Sequence, residues 1–283
     1  FAKVPYGTWI IREIESPKGY VLSEEEIAVT IGKVDEVVEI ELVNYFIKGN
    51  IALTKVDEDY PDNKLSGAVF EVYSDTNGDG KLDKDDTLLG EMKELDGGVY
   101  QMSELRYGKY LVKETKAPTG FVLDEDVYAV SIEENGKTYT VENKAGVGFI
   151  NAAQKGSLKI VKTSSDGKVE GFSFRVTGVD YDQTFKTDKN GEIVIEGLRI
   201  GDYTVSEVSD KASAGYILPA DKQATVKVNA TAIVQMHNEF RDTPKTGDDF
   251  NLGLWVSLAA LSVVGAGVLG FVGYKNRKKK KED

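Results

Sequence analysis

The chain has 283 residues, with 47 acidic against 35 basic side chains and a formal net charge of −12. Nucleic-acid binding needs a basic face, so this charge disfavours nucleic acid as a partner. The absence of cysteine excludes disulfides, thiolate metal sites and thiol catalysis. A single histidine, His237, leaves no Ser-His-Asp-like cluster, so we predict that the chain is not an enzyme.

Residues 1–47 carry the first copy of a pattern that recurs twice. It reads YGTWIIREIESPKGYVL at 6–22, YGKYLVKETKAPTGFVL at 107–123 and IGDYTVSEVSDKASAGYIL at 200–218. Each copy has a glycine, an aromatic residue two positions later, a glutamate six positions later, and a turn that ends in Gly-aromatic. The repeat predicts tandem units over residues 1–47, 48–154 and 155–240, which we call unit 1, unit 2 and unit 3.

Short β-branched and aromatic runs, separated by Gly, Asn, Asp and Pro, make up each unit, and this pattern predicts an all-β sandwich. NYFIKGNIALTK (44–55) and NAAQKGSLKIVK (151–162) share their spacing of Asn, Gly and Lys at the two junctions. Equal spacing predicts equal junction geometry. Unit 1 lacks a counterpart of the first strand, and we interpret it as the C-terminal part of a truncated unit.

An acidic insertion, DTNGDGKLDKDD at 75–86, distinguishes unit 2. Its oxygen donors stand at the positions of an EF-hand-type calcium loop, with Gly80 at the sharp turn. The predicted calcium ligands are Asp75, Asn77, Asp79, the carbonyl of Lys81, Asp83 and Asp86. The alternative is a solvated acidic turn, which Asp, Asn and Gly build unaided.

Alternation along the predicted strands points several polar side chains at the core. They are the glutamates Glu13, Glu114 and Glu207, the lysines Lys55 and Lys162, and the asparagines Asn44, Asn151 and Asn238. Burial favours the neutral forms of Lys and Glu. A neutral lysine is a nucleophile and a protonated glutamate can shuttle protons, so this set predicts attack on the Asn carboxamide and a Lys–Asn isopeptide bond. The alternative is a rim salt bridge at the strand ends.

The stretch YLVKETKAPTGF resembles the E-box of SpaA-type pilin and collagen-adhesin B-type domains, which have a prealbumin-like, Ig-like β-sandwich. The resemblance implies that the first-strand lysine bonds to the last-strand asparagine under control of the E-box acid. It implies the sets Lys55, Glu114, Asn151 and Lys162, Glu207, Asn238. Unit 1 keeps Glu13 and Asn44, with its lysine expected before Phe1, and unit 3 departs from the pattern in its SDKASAG turn.

Residues 241–283 follow the units. The 23 residues from Leu252 to Tyr274 carry no charge, enough for a transmembrane helix of about 34 Å, and a basic tail follows. The tail predicts a cytoplasmic end and an extracellular body. With TPKTG before the span, the segment resembles the cell-wall sorting signal (Leu-Pro-x-Thr-Gly) of Gram-positive surface proteins, and Thr243 replaces the usual Leu.

That resemblance implies cleavage by the transpeptidase sortase between Thr246 and Gly247, and transfer of Thr246 to an amine of peptidoglycan or a pilin lysine. The motif residues are Thr243, Pro244, Lys245, Thr246 and Gly247. We therefore expect a membrane-spanning precursor that becomes an extracellular, cell-wall-anchored stalk or pilin-subunit fragment. The alternative is an adhesin whose binding domain, for a host extracellular-matrix ligand, lies upstream of Phe1.

Overall fold

The computed structural model describes Phe1 and residues 3–241. The predicted all-β class is confirmed, since the described residues form nineteen strands and one three-residue 3-10 helix, Asp96–Gly98. In this part of the chain no helix is long and apolar enough to cross a membrane. The predicted span at 252–274 and the TPKTG motif lie outside the described residues.

Unit 1 contributes one antiparallel pair, β1 (Gly7–Arg12) and β2 (Glu26–Ile31). A β-bridge from Tyr20 to Phe46, whose rings stack at 4.6 Å, ties the rest of the unit together. Val29 is its one buried apolar side chain among the described residues, while Trp9, Ile10 and others remain exposed.

Unit 2 is a sandwich of two sheets. Its strands are β3 (Lys48–Asp57), β4 (Val69–Ser74), β5 (Thr87–Glu91), β6 (Lys93–Glu94), β7 (Val99–Arg106), β8 (Gly108–Lys116), β9 (Val127–Ile132), β10 (Thr138–Thr140) and β11 (Phe149–Asn151). One sheet has the order β10-β3-β7-β6, with β11 also on β3, and the other has the order β5-β4-β8-β9. Their facing side chains form one core around Ile51, Phe70 and Phe149.

Unit 3 repeats this plan. Its strands are β12 (Lys155–Ser164), β13 (Ser173–Gly178), β14 (Tyr181–Lys186), β15 (Glu192–Arg199), β16 (Gly201–Glu207), β17 (Tyr216–Ile217), β18 (Lys222–Val226) and β19 (Thr231–Phe240). The two sheets have the orders β15-β12-β19-β17 and β14-β13-β16-β18, and they enclose a core around Leu158, Phe174 and Val205.

The glycine that recurs at both junctions lies where another backbone segment crosses the first strand. A Cβ on Gly156 would lie 2.2 Å from the carbonyl oxygen of Lys227, and one on Gly49 would lie 2.8 Å from that of Lys137. Only glycine permits so close an approach. In both units the first strand also has an irregular register just after this glycine.

The aromatic residue of the repeat closes a turn in each unit. The Trp9 indole N–H donates to the carbonyl of Pro5 at 3.0 Å. The hydroxyls of Tyr110 and Tyr203 donate to the carbonyls of Arg106 and Arg199, at 2.6 and 2.9 Å. An equivalent hydrogen bond, to the carbonyl of the residue four positions back, therefore accounts for the aromatic residue that recurs two positions after the glycine of the repeat.

Candidate functional site

Parallel pairing of the first and last strands brings lysine and asparagine onto one face of the sheet. In unit 2, Phe149 of β11 pairs with Lys55 of β3, and Asn151 pairs with Asp57. In unit 3, Asn238 of β19 pairs with Ser164 of β12, again two residues beyond the lysine, Lys162. Residues two apart share a face, so both units place an amine and a carboxamide side by side with the same register.

The glutamate reaches the asparagine from the opposite sheet. Glu114 lies on β8, and its two carboxyl oxygens accept hydrogen bonds from Asn151 Nδ2 at 3.1 and 2.8 Å. In unit 3, Glu207 of β16 accepts from Asn238 Nδ2 at 2.6 Å through Oε1. The three side chains of each set therefore meet across the core of the sandwich.

These side chains are buried. The exposed fraction is 0% for Lys55 and Glu114, 3% for Asn151, 1% for Lys162, 9% for Glu207 and 0% for Asn238. Among the described residues, neither lysine forms an ion pair within 4.0 Å of a carboxylate. Snorkelling to a solvated rim does not describe this arrangement, because a rim salt bridge needs exposed charged ends.

Each lysine amine contacts carbonyls and aromatic rings. Lys55 Nζ donates to the carbonyl of Phe149 at 3.0 Å, and Lys162 Nζ donates to that of Thr163 at 2.5 Å. Lys162 Nζ also lies 4.2 Å from the Phe172 ring centroid. Burial lowers the pKa of Lys55 to about 8, although Glu114, Asp124 and Asp57 act in the opposite direction. Burial also lowers the pKa of Lys162.

Burial shifts the glutamates in the complementary direction. It raises the pKa of Glu114 despite hydrogen bonds from the Asp124 backbone and Asn151, and it raises the pKa of Glu207 despite Asn238 and Lys162. Both shifts favour the neutral acid. Asn151 Oδ1, Asn238 Oδ1 and Glu207 Oε2 are buried without a hydrogen-bond partner in the described part of the chain. Each set thus has a carbonyl oxygen with no donor to satisfy it.

Unit 1 holds the acid and the amide in a more open setting. Asn44 Nδ2 donates to both oxygens of Glu13, at 2.8 and 2.7 Å. Both residues are only half-buried, and a cleft beside them is lined by Ile14 and Leu22, among others. No lysine of the described residues is hydrogen-bonded to this pair.

The acidic loop of unit 2 folds as a series of turns between β4 and β5. Asp75, which is 7% exposed, accepts hydrogen bonds from the N–H groups of Gly78 and Gly80 at 2.7 and 3.1 Å. Asp86 accepts from the N–H groups of Thr76 and Asp83. Within residues 3–241, no group of three or more His, Cys, Asp or Glu side chains is arranged to hold a metal ion.

His237 lies on the outer face of β19, between a hydroxyl and a carboxylate. Its Nδ1 is 2.8 Å from Thr163 Oγ1, and its Nε2 is 3.1 Å from Glu239 Oε1. This group could not be predicted from the sequence because Thr163 lies 74 positions before His237. The histidine and glutamate side chains are 51% and 55% exposed. A flat, solvated strand face does not exclude water or surround a substrate as a catalytic site does.

Contacts between units are a second feature that the repeat pattern did not predict. Arg199 of unit 3 donates to both carboxyl oxygens of Asp57 in unit 2, at 2.7 and 2.8 Å, and to Asp59 at 2.9 Å. Arg106 of unit 2, at the matching position of the repeat, lies 4.0 Å from the Phe46 ring centroid of unit 1. The Leu-Arg-x-Gly stretch shared by units 2 and 3 was the available signal.

The comparison with protein families matches residues 1–45, 49–145 and 156–240 to SpaA, a prealbumin-like fold domain. The chain belongs to the SpaA family. Its SpaA units are structural domains, not those of an enzyme. No curated protein matches the chain.

Among solved structures, the Bacillus anthracis TIE protein is 27% identical, with a TM-score of 0.64, over 84% of this chain and 42% of that one. The chain thus spans less than half the length of that relative. A Streptococcal ancillary pilin is 18% identical, with a TM-score of 0.30, over 84% and 76% of the two chains. The shaft pilin SpaA from Lactobacillus rhamnosus GG is 15% identical, with a TM-score of 0.32, over 69% and 98%.

Proposed function

We propose that the chain is part of a cell-surface stalk or pilin subunit whose SpaA units are stiffened by Lys–Asn isopeptide bonds. One observation carries the proposal: units 2 and 3 share the same three buried side chains and the same strand register, although the turns around them differ. Agreement between independent copies favours a selected arrangement over chance burial.

The chemistry follows from the positions of the three side chains in unit 2. The neutral Nζ of Lys55 attacks Cγ of Asn151, which forms the new C–N bond and places negative charge on Oδ1. Glu114, held against Nδ2 as the neutral acid, delivers its proton to Nδ2 and then takes up the proton that the attacking amine releases, so the acid is regenerated. The Cγ–Nδ2 bond then breaks and one ammonia molecule leaves. Unit 3 uses Lys162, Asn238 and Glu207 in the same roles.

The mechanical consequence follows from the topology. Lys55 and Asn151 lie on the first and last strands of unit 2, which pair in parallel. A bond between them carries tension from one strand directly to the other, without loading the hydrogen-bond ladders that join the strands within each sheet. By analogy with disulfides, closing a loop of 96 residues (151 − 55) would constrain the unfolded chain by roughly 4 to 5 kcal/mol. A cysteine-free chain gains a staple that reduction cannot open.

Intact mass spectrometry tests the proposal. The purified chain should weigh less than its sequence by two ammonia molecules. Glu114→Ala should retain one of them because its unit loses the proton carrier, and Glu114→Ala/Glu207→Ala should retain both. Lys113→Ala, which changes the neighbouring lysine on the same strand, is the matched control and should still lose two. A full sequence mass for the parent chain would refute the crosslinks.

We also propose that sortase attaches the chain to the cell surface through Thr246. The support is the order of TPKTG, uncharged segment and basic tail in the sequence. The acceptor is an amine of peptidoglycan or a pilin lysine. At least one purified sortase class, supplied with an amine nucleophile, should release the segment after Thr246 and give a product in which the Thr246 carbonyl is joined to that amine. Thr246→Ala should abolish that product, and failure of every class with the parent chain would rule the proposal out.

A further inference from the structure

The glutamates of units 1 and 2 each accept a hydrogen bond from a backbone N–H at the same position of the repeat. Glu114 Oε2 accepts a hydrogen bond from the N–H of Asp124 at 2.9 Å, and Glu13 Oε2 accepts one from the N–H of Ser23 at 2.7 Å. Each donor lies ten residues after its glutamate and four after the glycine of the turn, Gly120 or Gly19. A backbone N–H so placed stabilises the ionised carboxylate.

Unit 3 lacks this donor because proline occupies the position. Four residues after the corresponding glycine, Gly215, the chain has Pro219, which carries no N–H. The difference is visible in the site, since Glu207 Oε2 is buried without a hydrogen-bond partner. In unit 2 the corresponding oxygen of Glu114 is satisfied. Unit 3 therefore contains two buried acceptors without donors, Glu207 Oε2 and Asn238 Oδ1, where unit 2 contains one.

The turn before Pro219 shows how the fold tolerates this change. It is two residues longer than in unit 2 and is organised by its own hydrogen bonds. Asp210 accepts from the N–H groups of Ala212 and Ser213 and from the hydroxyl of Ser173. Tyr216 in β17 then pairs with Phe240 of β19. The contact of this segment with the end of the unit is thus kept, as in the Phe121–Ala153 bridge of unit 2, while the donor to the glutamate is lost.

We propose that Pro219 is a positioning residue of the unit 3 site, which withholds the backbone donor and thereby keeps the proton on Glu207. Protonation removes the negative charge from the carboxyl group, so the cost of burying Oε2 without a donor falls when the acid is neutral. The role assigned to the acid rests on the proposed isopeptide function. The effect on the proton affinity of Glu207 does not, because it follows from the missing N–H.

The charged groups around Glu207 act in both directions. Lys162 on the first strand favours the ionised carboxylate, and Asp210 in the turn favours the protonated acid. Burial raises the pKa of Glu207 most, and the raised pKa of Glu114 reflects burial opposed by the Asp124 N–H. Glu114 is the more deeply buried of the two. The comparison that isolates Pro219 is therefore made within unit 3 and not between units.

The experiment measures carboxyl titration in the full chain, labelled with ¹³C at the glutamate side chains. The Glu114 and Glu207 resonances are assigned by Glu114→Gln and Glu207→Gln. Pro219→Ala restores an N–H without adding charge, and we expect the Glu207 midpoint to move to lower pH while Glu114 in the same molecule is unchanged. In unit 2, Asp124→Pro should raise the Glu114 midpoint, whereas Asp124→Ala, which keeps the N–H, is the control for loss of the side-chain charge.

Mass spectrometry of the same samples separates the two proposals. If neither unit loses ammonia, the proposed function fails, but the titration still tests the role of Pro219. If both bonds form and Pro219→Ala leaves the Glu207 midpoint where it was, the role of Pro219 is overturned and the crosslinks stand. Should Asp124→Pro fail to fold, the Pro219→Ala shift alone decides, since that change removes a constraint instead of adding one.

Discussion

At Lys55, burial and three carboxylates act on the same amine in opposite directions. Burial has the larger effect and lowers the pKa to about 8, although Glu114, Asp124 and Asp57 favour the charged form. Folding therefore increases the fraction of neutral amine near neutral pH. Lys55 is therefore a better nucleophile in the folded sandwich than in the unfolded chain.

When the Lys55–Asn151 bond cannot form, the lowered pKa of Lys55 should make the free energy of unfolding depend on pH. In Asn151→Ala the Lys55 amine stays free, and it titrates near 8 when folded and near 10.5 when unfolded. Between these values the unfolded chain holds the extra proton, so stability rises with pH, by about 3 kcal/mol at most. Below pH 8 both forms are charged and the whole penalty is present.

Urea unfolding followed by circular dichroism from pH 8 to pH 10 measures this rise. The parent chain should show a smaller one, because an amide nitrogen does not titrate. The matched control is Asn151→Ala/Lys55→Met, which removes the amine and should remove the extra pH dependence. An equal rise with and without the amine would show that Lys55 is not its source.

At the scale of elements, alternation along β-strands is enough to place Lys55, Glu114 and Asn151 on the core side. Pairing partners are harder to derive from sequence. The parallel contact of β3 with β11 depends on the whole sandwich, and the backbone donor to Glu114 comes from a residue ten positions away. The effect of Pro219 on Glu207 could not be predicted from the sequence, because a missing N–H matters only where a buried acceptor faces it.

The acidic loop between β4 and β5 is the element whose ligand remains a prediction. Its backbone turns around Asp75, which leaves the side chains of Asp79 and Asp83 exposed to solvent. Calcium would bind the carboxylates with an affinity in the range of about 10⁻⁴ to 10⁻³ M that is typical of extracellular modules. We propose this site on the residue spacing and on the turn at Gly80.

Calorimetric titration of the full chain with calcium should give a heat of binding that fits a dissociation constant of about 10⁻⁴ to 10⁻³ M. Asp79→Asn/Asp83→Asn should abolish the heat because it removes two negative ligands without removing the Asp75 anchor. Asp180→Asn/Asp182→Asn, a similar loss of charge in unit 3, should leave it unchanged. Absence of heat at millimolar calcium in the parent chain would identify the loop as a solvated turn.

At the scale of the whole molecule, the same arginine position couples each unit to the one before it. Tyr110 and Tyr203 hold the carbonyls of Arg106 and Arg199, so both guanidinium groups project from a fixed turn. Arg106 stacks on Phe46, whereas Arg199 pairs with Asp57 and Asp59. The side chains of Arg199 and Asp57 are 14% and 3% exposed, so this junction contains a largely buried ion pair.

The Asp57–Arg199 pair lies two residues from Lys55 on the same strand, so the joint and the candidate crosslink share β3. Arg199→Ala should leave Asp57 buried without its cation, a loss of roughly 3 to 5 kcal/mol for a buried pair. We expect units 2 and 3 to remain folded but to tumble independently, which ¹⁵N relaxation would detect as separate correlation times.

Two variants serve as controls. Arg199→Lys keeps the charge but loses the two-pronged contact, and it should give an intermediate result. Arg175→Ala removes an exposed pair with Asp182 that is worth about 0 to 1 kcal/mol, so it should change nothing. Correlation times that stay equal in Arg199→Ala would mean that the joint owes its rigidity to other contacts.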